Sequence, residues 1–95
     1  MITDFYCKET ENIFNGIDSK KFKAIQKVAK RKLDMLHFAV CEKDLLAPPS
    51  NRFEHLKGEY KGFCSIRIND QFRIMFKFEN GKASKVRIID YHKRS

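Results

Sequence analysis

The residues best suited to chemistry are cations and aromatic side chains that alternate with apolar residues in the second half of the chain. Successive side chains of a strand point to opposite sides of a sheet, so one face is predicted to collect the residues between the apolar ones. They are Arg67, Arg73, Lys77 and Arg87, together with Phe63 and Tyr91. Arginine binds phosphate through paired hydrogen bonds and aromatic rings stack on unpaired bases, so this face suits single-stranded RNA. An ordinary solvated sheet face is the alternative interpretation.

Length and charge limit what this face can belong to. The chain has 95 residues, and 20 Lys and Arg against 12 Asp and Glu give a formal net charge of +8. A chain of this length is expected to form one domain, residues 1–95, with no room for a separate cofactor domain. The hydrophobic share of 42% is enough for a compact core. The composition therefore predicts a folded basic domain that prefers a polyanionic partner.

The sequence lacks a membrane span, a secretory signal and paired cysteines, and these absences bear on the expected compartment and cofactors. The longest stretches without a formal charge have seven residues, whereas a membrane span needs about 20, so no membrane association is expected. The first residues show neither the basic start nor the apolar run of a secretory signal, which favours the cytoplasm. Cys7, Cys41 and Cys64 are odd in number and form no Cys-x-x-Cys pair. We expect no disulfide framework, no metal site and no cofactor.

Two helices are predicted to support the sheet from one side. A short helix around Thr10 ends at Gly16, because glycine readily adopts the left-handed conformation found at helix ends. Asp18 or Ser19 is expected to cap a long second helix. Its apolar stripe consists of residues at helical spacing: Phe22, Ile25, Val28, Ala29, Leu33 and Leu36.

The sheet is predicted to be mostly antiparallel, with four to five strands. Residues 1–7 and 52–56 are candidate strands, and residues 63–91 contain three more. The pairs Asn69-Asp70 and Asn80-Gly81 separate these three, and both residues of the second pair tolerate the positive φ of a hairpin turn. The expected fold class is α+β, with the two N-terminal helices packed on one face of the sheet.

Several motifs in the second half resemble those of the HigB toxins (HigB/GraT-like) of the RelE/ParE superfamily. They are Leu-Lys-Gly at 56–58, Ser-Ile-Arg-Ile-Asn at 65–69, Arg-Ile-Met-Phe at 73–76 and Asp-Tyr-His at 90–92. The likeness covers nearly the whole chain. It implies a RelE-like fold and the toxin of a type II toxin–antitoxin system. The implied activity is a ribosome-dependent endoribonuclease that cuts translated mRNA by metal-independent attack of the ribose 2′-OH, thereby inhibiting translation and growth.

The resemblance also implies roles for individual residues. Arg73 matches the phosphate-stabilising arginine of the family, and Arg67 is a second cation nearby. Tyr91 and His92 match the terminal pair used for base stacking and proton transfer. Imidazole titrates near neutrality, so His92 is the natural acid–base residue, and Asp90 either orients it or makes a turn contact. The residues expected to bind RNA or its phosphates are Arg67, Lys57, Lys77 and Arg87.

The general base is left open by one departure from the family pattern. Some family members carry a histidine two residues before the Leu of Leu-Lys-Gly, where this chain has Glu54, and His55 follows one position later. A shift of one residue in a strand turns a side chain to the other face. Glu54 takes the base role, or it is a plain salt-bridge residue while His92 carries the chemistry with Tyr91, or a bulge admits His55. We favour a supporting role for Glu54.

The partners implied by the resemblance are a HigA-type helix-turn-helix antitoxin, the A site of the small (30S) ribosomal subunit and mRNA. Operator DNA is expected to be contacted only through the antitoxin. Two other functions are alternatives. One is a non-catalytic module that binds RNA or ribosomes through the same basic face. The other is a gyrase-directed toxin of the ParE type, which shares the scaffold but generally lacks this basic set, so Arg67, Arg73, Tyr91 and His92 argue against it.

Overall fold

The computed structural model of the chain describes residues 1–91. Within them, the helices are α1 (Lys8–Phe14), α2 (Gln26–Phe38) and α3 (Lys43–Leu46). The strands are β1 (Glu54–His55), β2 (Cys64–Arg67), β3 (Phe72–Glu79) and β4 (Lys82–Asp90). The strands form one antiparallel sheet in the order β1-β2-β3-β4. This arrangement confirms the predicted α+β class with a mostly antiparallel sheet.

The core lies between the helices and one face of the sheet. The predicted helical stripe and the predicted apolar rows of the strands join in a single cluster. Its fully buried large side chains are Leu33, Leu36, Leu45, Ile66, Ile74, Phe76 and Val86. Each such side chain stabilises the fold by roughly 1.5–3 kcal/mol relative to exposure. Of the helices within residues 1–91, none is long and apolar enough to cross a membrane.

The connection between α1 and α2 differs from the prediction. Gly16 has a φ of +82° and ends α1 as expected, with its N–H donating to the Ile13 carbonyl. Ser19, however, does not cap a long helix: its Oγ accepts from the N–H of Phe22, and a short three-ten turn follows at Lys23–Ile25. The α-helix therefore begins only at Gln26. The apolar stripe was right, because the turn keeps Phe22 and Ile25 buried.

The predicted strand over residues 1–7 is reduced to two isolated parallel bridges, Ile2 to Ala83 and Phe5 to Val86. The reason is a bulge in β4, where Lys85 has a φ of +54° and the register with β3 shifts. A bulge interrupts the regular row of hydrogen-bonding groups that a continuous strand needs. It also changes which side chains face the core, so that Ala83, Val86 and Ile88 are all buried.

Both predicted turns are present. In the β3–β4 hairpin, Asn80 and Gly81 have φ values of +53° and +77°, as the favoured two-residue hairpin turn requires. Between β2 and β3, the Asn69 carboxamide oxygen accepts from the N–H groups of Gln71 and Phe72, each at 2.8 Å. The turn at Asn69 joins β2 to β3 in the register that aligns Arg67 with Arg73.

Candidate active site

The face of the sheet away from the core carries the predicted cations and aromatic residues, but its centre is not open to solvent. Ser65, Arg73 and Met75 are 0%, 6% and 1% exposed. The antiparallel register sets Glu54 opposite Ser65 and Arg73 opposite Ile89. Residues from all four strands thus meet around Arg73. The alternative interpretation, an ordinary solvated sheet face, is wrong at the centre of this face.

The Arg73 guanidinium is fixed by neighbours on two sides. Its Nε donates to Ser65 Oγ at 2.8 Å, and one terminal nitrogen donates to the Arg52 carbonyl and, at 3.4 Å, to the Ser65 carbonyl. Arg52 has a left-handed φ of +45°, which places its carbonyl at the end of the turn before β1. Three acceptors therefore hold a nearly buried cation in one orientation.

Glu54 and Tyr91 cover the same guanidinium. The Tyr91 hydroxyl donates to Glu54 Oε1 at 2.7 Å, and the Tyr91 ring centroid lies 5.0 Å from the Arg73 Cζ. The Glu54 carboxylate is 4.0 Å from Arg73 Nε, and its side chain is 42% exposed. One cluster thus contains a cation, a hydroxyl, a carboxylate and a phenol: Arg73 from β3, Ser65 from β2, Glu54 from β1 and Tyr91, which follows β4. We call it the Arg73 cluster.

Burial lowers the pKa of Arg73, because a desolvated guanidinium loses part of its stabilisation by water. Glu54 and Tyr91 act in the opposite direction, and the positive charges of Arg67 and Arg52 lower this pKa further. Arginine nevertheless stays protonated in proteins. The cluster therefore contains a permanent positive charge in a largely water-excluded position, where its interaction with an added anion is stronger than at the surface.

Ser65 and Arg52 are the contributors that sequence reasoning missed. Strand alternation predicts Ser65 on the same face as Arg67 but gives it no role in the site, and Arg52 is predicted only as the start of a strand. The signal for Ser65 was available, because strand alternation puts it on the same face as Arg67, and the β2–β3 register puts it diagonal to Arg73. No comparable signal exists for Arg52, whose contribution is a backbone carbonyl.

The other predicted cations surround the cluster without entering it. Arg67 is paired with Asp70. Lys57 is exposed in the turn before Gly58–Tyr60. Lys77 lies with its ammonium 5.2 Å from the centroid of the Phe63 ring. Arg87 is half-buried, and its Nε is buried with no hydrogen-bond partner among the described residues.

Two of the remaining predicted residues, His55 and Asp90, lie away from the Arg73 cluster. His55 pairs with Cys64 in regular register, with no bulge, and its ring contacts Cys64 Sγ at 3.4 Å and Glu42 Oε1 at 3.1 Å. It therefore lies on the face opposite Glu54. Asp90 also lies away from the Arg73 cluster, and one of its oxygens accepts from the Gln71 side chain at 3.1 Å. His92 lies outside the described residues.

The arrangement is suited to stabilising an anion beside groups that can hydrogen-bond to it. The guanidinium supplies positive charge, the Tyr91 hydroxyl can donate, and the Glu54 carboxylate can accept. Preorganised charge of this kind acts on the transition state of phosphoryl chemistry without having to reorient. Within residues 1–91, no three His, Cys, Asp or Glu side chains are grouped so that they could hold a metal ion.

Comparison with known proteins gives relatives in sequence and in structure. The sequence is 47% identical over 70 residues to Toxin HigB-1 of Vibrio cholerae serotype O1, which covers 74% of this chain and 73% of the relative. The fold is similar to that of YafQ from E. coli (TM-score 0.65, 10% identity, 99% of this chain and 96% of the other). It is also similar to a chain of the heterotetrameric YoeB-YefM toxin-antitoxin complex from Staphylococcus aureus (TM-score 0.61, 23% identity, 97% and 95%).

Residues 2–92 match the family described as the RelE-like toxin of type II toxin-antitoxin system HigB. The match includes the strands that build the Arg73 cluster. The chain therefore belongs to the HigB-like family of RelE-like toxins of type II toxin–antitoxin systems.

Proposed function

We propose that this toxin is an endoribonuclease that cuts mRNA during translation and so stops growth. The observation that carries the proposal is the Arg73 guanidinium, held by Ser65 and the Arg52 carbonyl beneath Tyr91 and Glu54. Arg73 is a buried, oriented cation at one edge of a basic surface. Catalysis of phosphoryl transfer depends above all on preorganised positive charge of this kind. Because translation takes place in the cytoplasm, this substrate also assigns the activity to that compartment.

The reaction is attack of a ribose 2′-oxygen on the neighbouring phosphorus. The 2′-OH gives up its proton, the new P–O bond forms, and the bond to the 5′-oxygen breaks as that oxygen takes up a proton. The products are a 2′,3′-cyclic phosphate and a 5′-OH. Arg73 stabilises the negative charge that develops on the phosphorane. His92 is proposed to transfer protons, because imidazole is the side chain best suited to acid–base chemistry near neutral pH.

Glu54 is proposed to act as a positioning residue through Tyr91. Arg73 is only 6% exposed, so a phosphate can approach its guanidinium only where the Tyr91 ring moves aside. Breaking the Tyr91–Glu54 hydrogen bond costs about 1 kcal/mol, which bound RNA readily offsets. The displaced ring is then available to stack on a base. Access to the cation and stacking on the base are thus coupled in one movement.

The ribosome is proposed to supply the remaining geometry. Cleavage by 2′-OH attack requires the attacking oxygen, the phosphorus and the leaving oxygen to be in line, and positioning of that kind is worth several kcal/mol. Free RNA samples the in-line geometry rarely. An mRNA held in the A site of the small subunit is already constrained, so we expect cleavage to depend on translation.

The proposed partner is a HigA-type helix-turn-helix antitoxin. The family is defined by toxin–antitoxin pairs, and the similar YoeB chain was crystallised with its antitoxin YefM. The net charge of +8 favours an antitoxin with acidic segments, by electrostatic complementarity. Operator DNA would then be contacted through the antitoxin rather than through this chain.

Expression in growing cells with mapping of transcript 5′ ends tests the proposal. The unchanged chain is expected to stop growth and to create new 5′ ends within translated reading frames. Arg73→Lys keeps the charge but loses the paired donors, and its cleavage is expected to fall about 100-fold. Intact transcripts in growth-arrested cells would refute the nuclease in favour of a non-catalytic ribosome-binding module. Arrest with a DNA-damage response and intact transcripts would favour a ParE-type action.

A further inference from the structure

A second polar cavity lies beyond the Arg73 cluster, at the outer edge of β4. It has a volume of about 450 Å³, and its polar and aromatic lining consists of Tyr6, Lys21, Tyr60, Arg87 and Asp90. It forms where the N-terminal segment leaves β4 after the Phe5–Val86 bridge to begin α1. A volume of this size is in the range that holds a small ligand or a single nucleotide.

Two buried polar atoms of this cavity have no partner within residues 1–91. They are Arg87 Nε and Asp90 Oδ1. Arg87 forms no ion pair with any described residue, and the second oxygen of Asp90 is already bonded to Gln71. A buried donor or acceptor left unpaired costs about 1–3 kcal/mol, and more if it is charged. The cavity wall therefore contains an unmatched cationic donor and an unmatched acceptor, both just beneath its surface.

Lys21 adds a second positive charge to the same cavity. It is exposed, it forms no ion pair with any described residue, and its ammonium rests 5.4 Å from the centroid of the Phe22 ring. The positive charge of Lys21 also acts on Cys7, which is part of the cavity wall. Burial raises the pKa of the Cys7 thiol, but hydrogen bonds with Thr10 and Glu9 and the charge of Lys21 together outweigh it and leave this pKa below its ordinary value.

We infer that this cavity is a one-nucleotide subsite for single-stranded RNA, with a phosphate bound by Arg87 and Lys21 and a hydroxyl or N–H donor bound by Asp90. Two cations alone would suit any anion, whereas a ribonucleotide also supplies the donor that Asp90 lacks. Tyr6, which is 55% exposed, and Tyr60 offer aromatic surface for the base.

The position of the cavity links it to the proposed reaction, on which this inference rests. Arg87 is opposite Met75 and diagonal to Arg73 across the β3–β4 ladder, and diagonal neighbours are roughly 7–8 Å apart. An RNA strand with one linkage at Arg73 would bring an adjacent nucleotide to the β4 edge. The subsite would then hold the strand in place while the Arg73 cluster acts on the scissile linkage.

The test measures the binding of a short, fluorescently labelled single-stranded RNA by anisotropy at several salt concentrations, without ribosomes. Arg87→Ala and Lys21→Ala are each expected to weaken binding about 10-fold. Each should also reduce the slope of log K against log salt by about 0.7, the value for one lost phosphate contact on a single strand. Lys43→Ala, at an exposed site in α3, is the matched control and should leave both quantities unchanged.

Arg87→Lys keeps the charge and guards against misfolding of the alanine variant, and it should retain the salt slope. The subsite is refuted, whether or not mRNA is cut, if Arg87→Ala and Lys21→Ala bind the RNA with an affinity within twofold of that of the unchanged chain and with the same salt slope. If both weaken binding while the unchanged chain cuts no mRNA, the subsite stands and the proposed nuclease fails. The two proposals are therefore separable.

Discussion

Replacing Ser65 with alanine tests whether a buried hydroxyl orients the cation of the Arg73 cluster. Ser65 is fully buried, and its Oγ accepts from Arg73 Nε at 2.8 Å. The alanine variant loses one hydrogen bond to a charged group and leaves Nε without an acceptor, which costs about 1.5–3 kcal/mol. For a domain of this size each kcal/mol corresponds to a fall in Tm of about 4–8 °C. A cost of about 2 kcal/mol therefore predicts a fall of roughly 8–16 °C.

The assay combines thermal unfolding with mapping of mRNA cleavage, both compared with Ser84→Ala. Ser84 also lies in a strand, and its side chain forms no hydrogen bond with the described residues. The Tm of Ser84→Ala should therefore stay within a few degrees of that of the unchanged chain. Below its Tm, Ser65→Ala should cut mRNA at the same positions but about 10-fold more slowly, because Arg73 is less well oriented. A Tm and a rate equal to those of Ser84→Ala would refute the proposed orientation.

Three further predictions concern stability. Tyr91→Phe keeps the ring but removes the hydrogen bond to Glu54, so the free energy of unfolding should fall by about 1 kcal/mol. Adding Glu54→Gln should cost less in this variant than in the unchanged chain, because the shared hydrogen bond is already lost, and fully additive losses would contradict the pairing. Gly16→Ala and Gly81→Ala should each cost roughly 1–2 kcal/mol, because both sites have positive φ. Gly81→Ala should cost more of the two, because only there would a Cβ meet a backbone oxygen at 3.0 Å, and equal effects would argue against that close approach. Burial raises the pKa of Cys64 from 9.0 to about 11. The stabilisation that depends on the neutral thiol should therefore be complete below pH 9, and the free energy of unfolding should decline by about 2 kcal/mol as the pH rises through 11. Denaturant unfolding measures this decline, which should be weaker in Cys64→Ala.

Local pattern was sufficient to predict the sheet and the residues that share a face. Alternation in β2 and β3 correctly placed Ile66, Ile74 and Phe76 in the core, and it placed Arg73 on the other face. The Asn80-Gly81 pair correctly predicted a hairpin turn. These features depend on the period of two of a strand and on the φ preferences of individual residues, both of which are visible in a short stretch of sequence.

Features that depend on distant contacts could not be predicted. Arg73 is buried because Glu54 and Tyr91, 37 residues apart, meet above it. The bulge at Lys85 has no sequence signal, since lysine does not favour positive φ. It is nevertheless the reason why the N-terminal segment forms two bridges instead of a strand. The late start of α2 is an exception, because its cause is local: the Phe22 N–H donates to Ser19 Oγ, which favours a turn over an earlier helix.

The chemical nature of the cut RNA ends tests the central claim most directly. In a reconstituted translation reaction with the purified chain, the mRNA fragments should carry 2′,3′-cyclic phosphate and 5′-OH ends, and an mRNA without a ribosome-binding site should stay intact. Arg73→Lys should give the same ends at about one hundredth of the rate. Fragments with 5′-phosphate and 3′-OH ends, or no cleavage at all, would contradict the account.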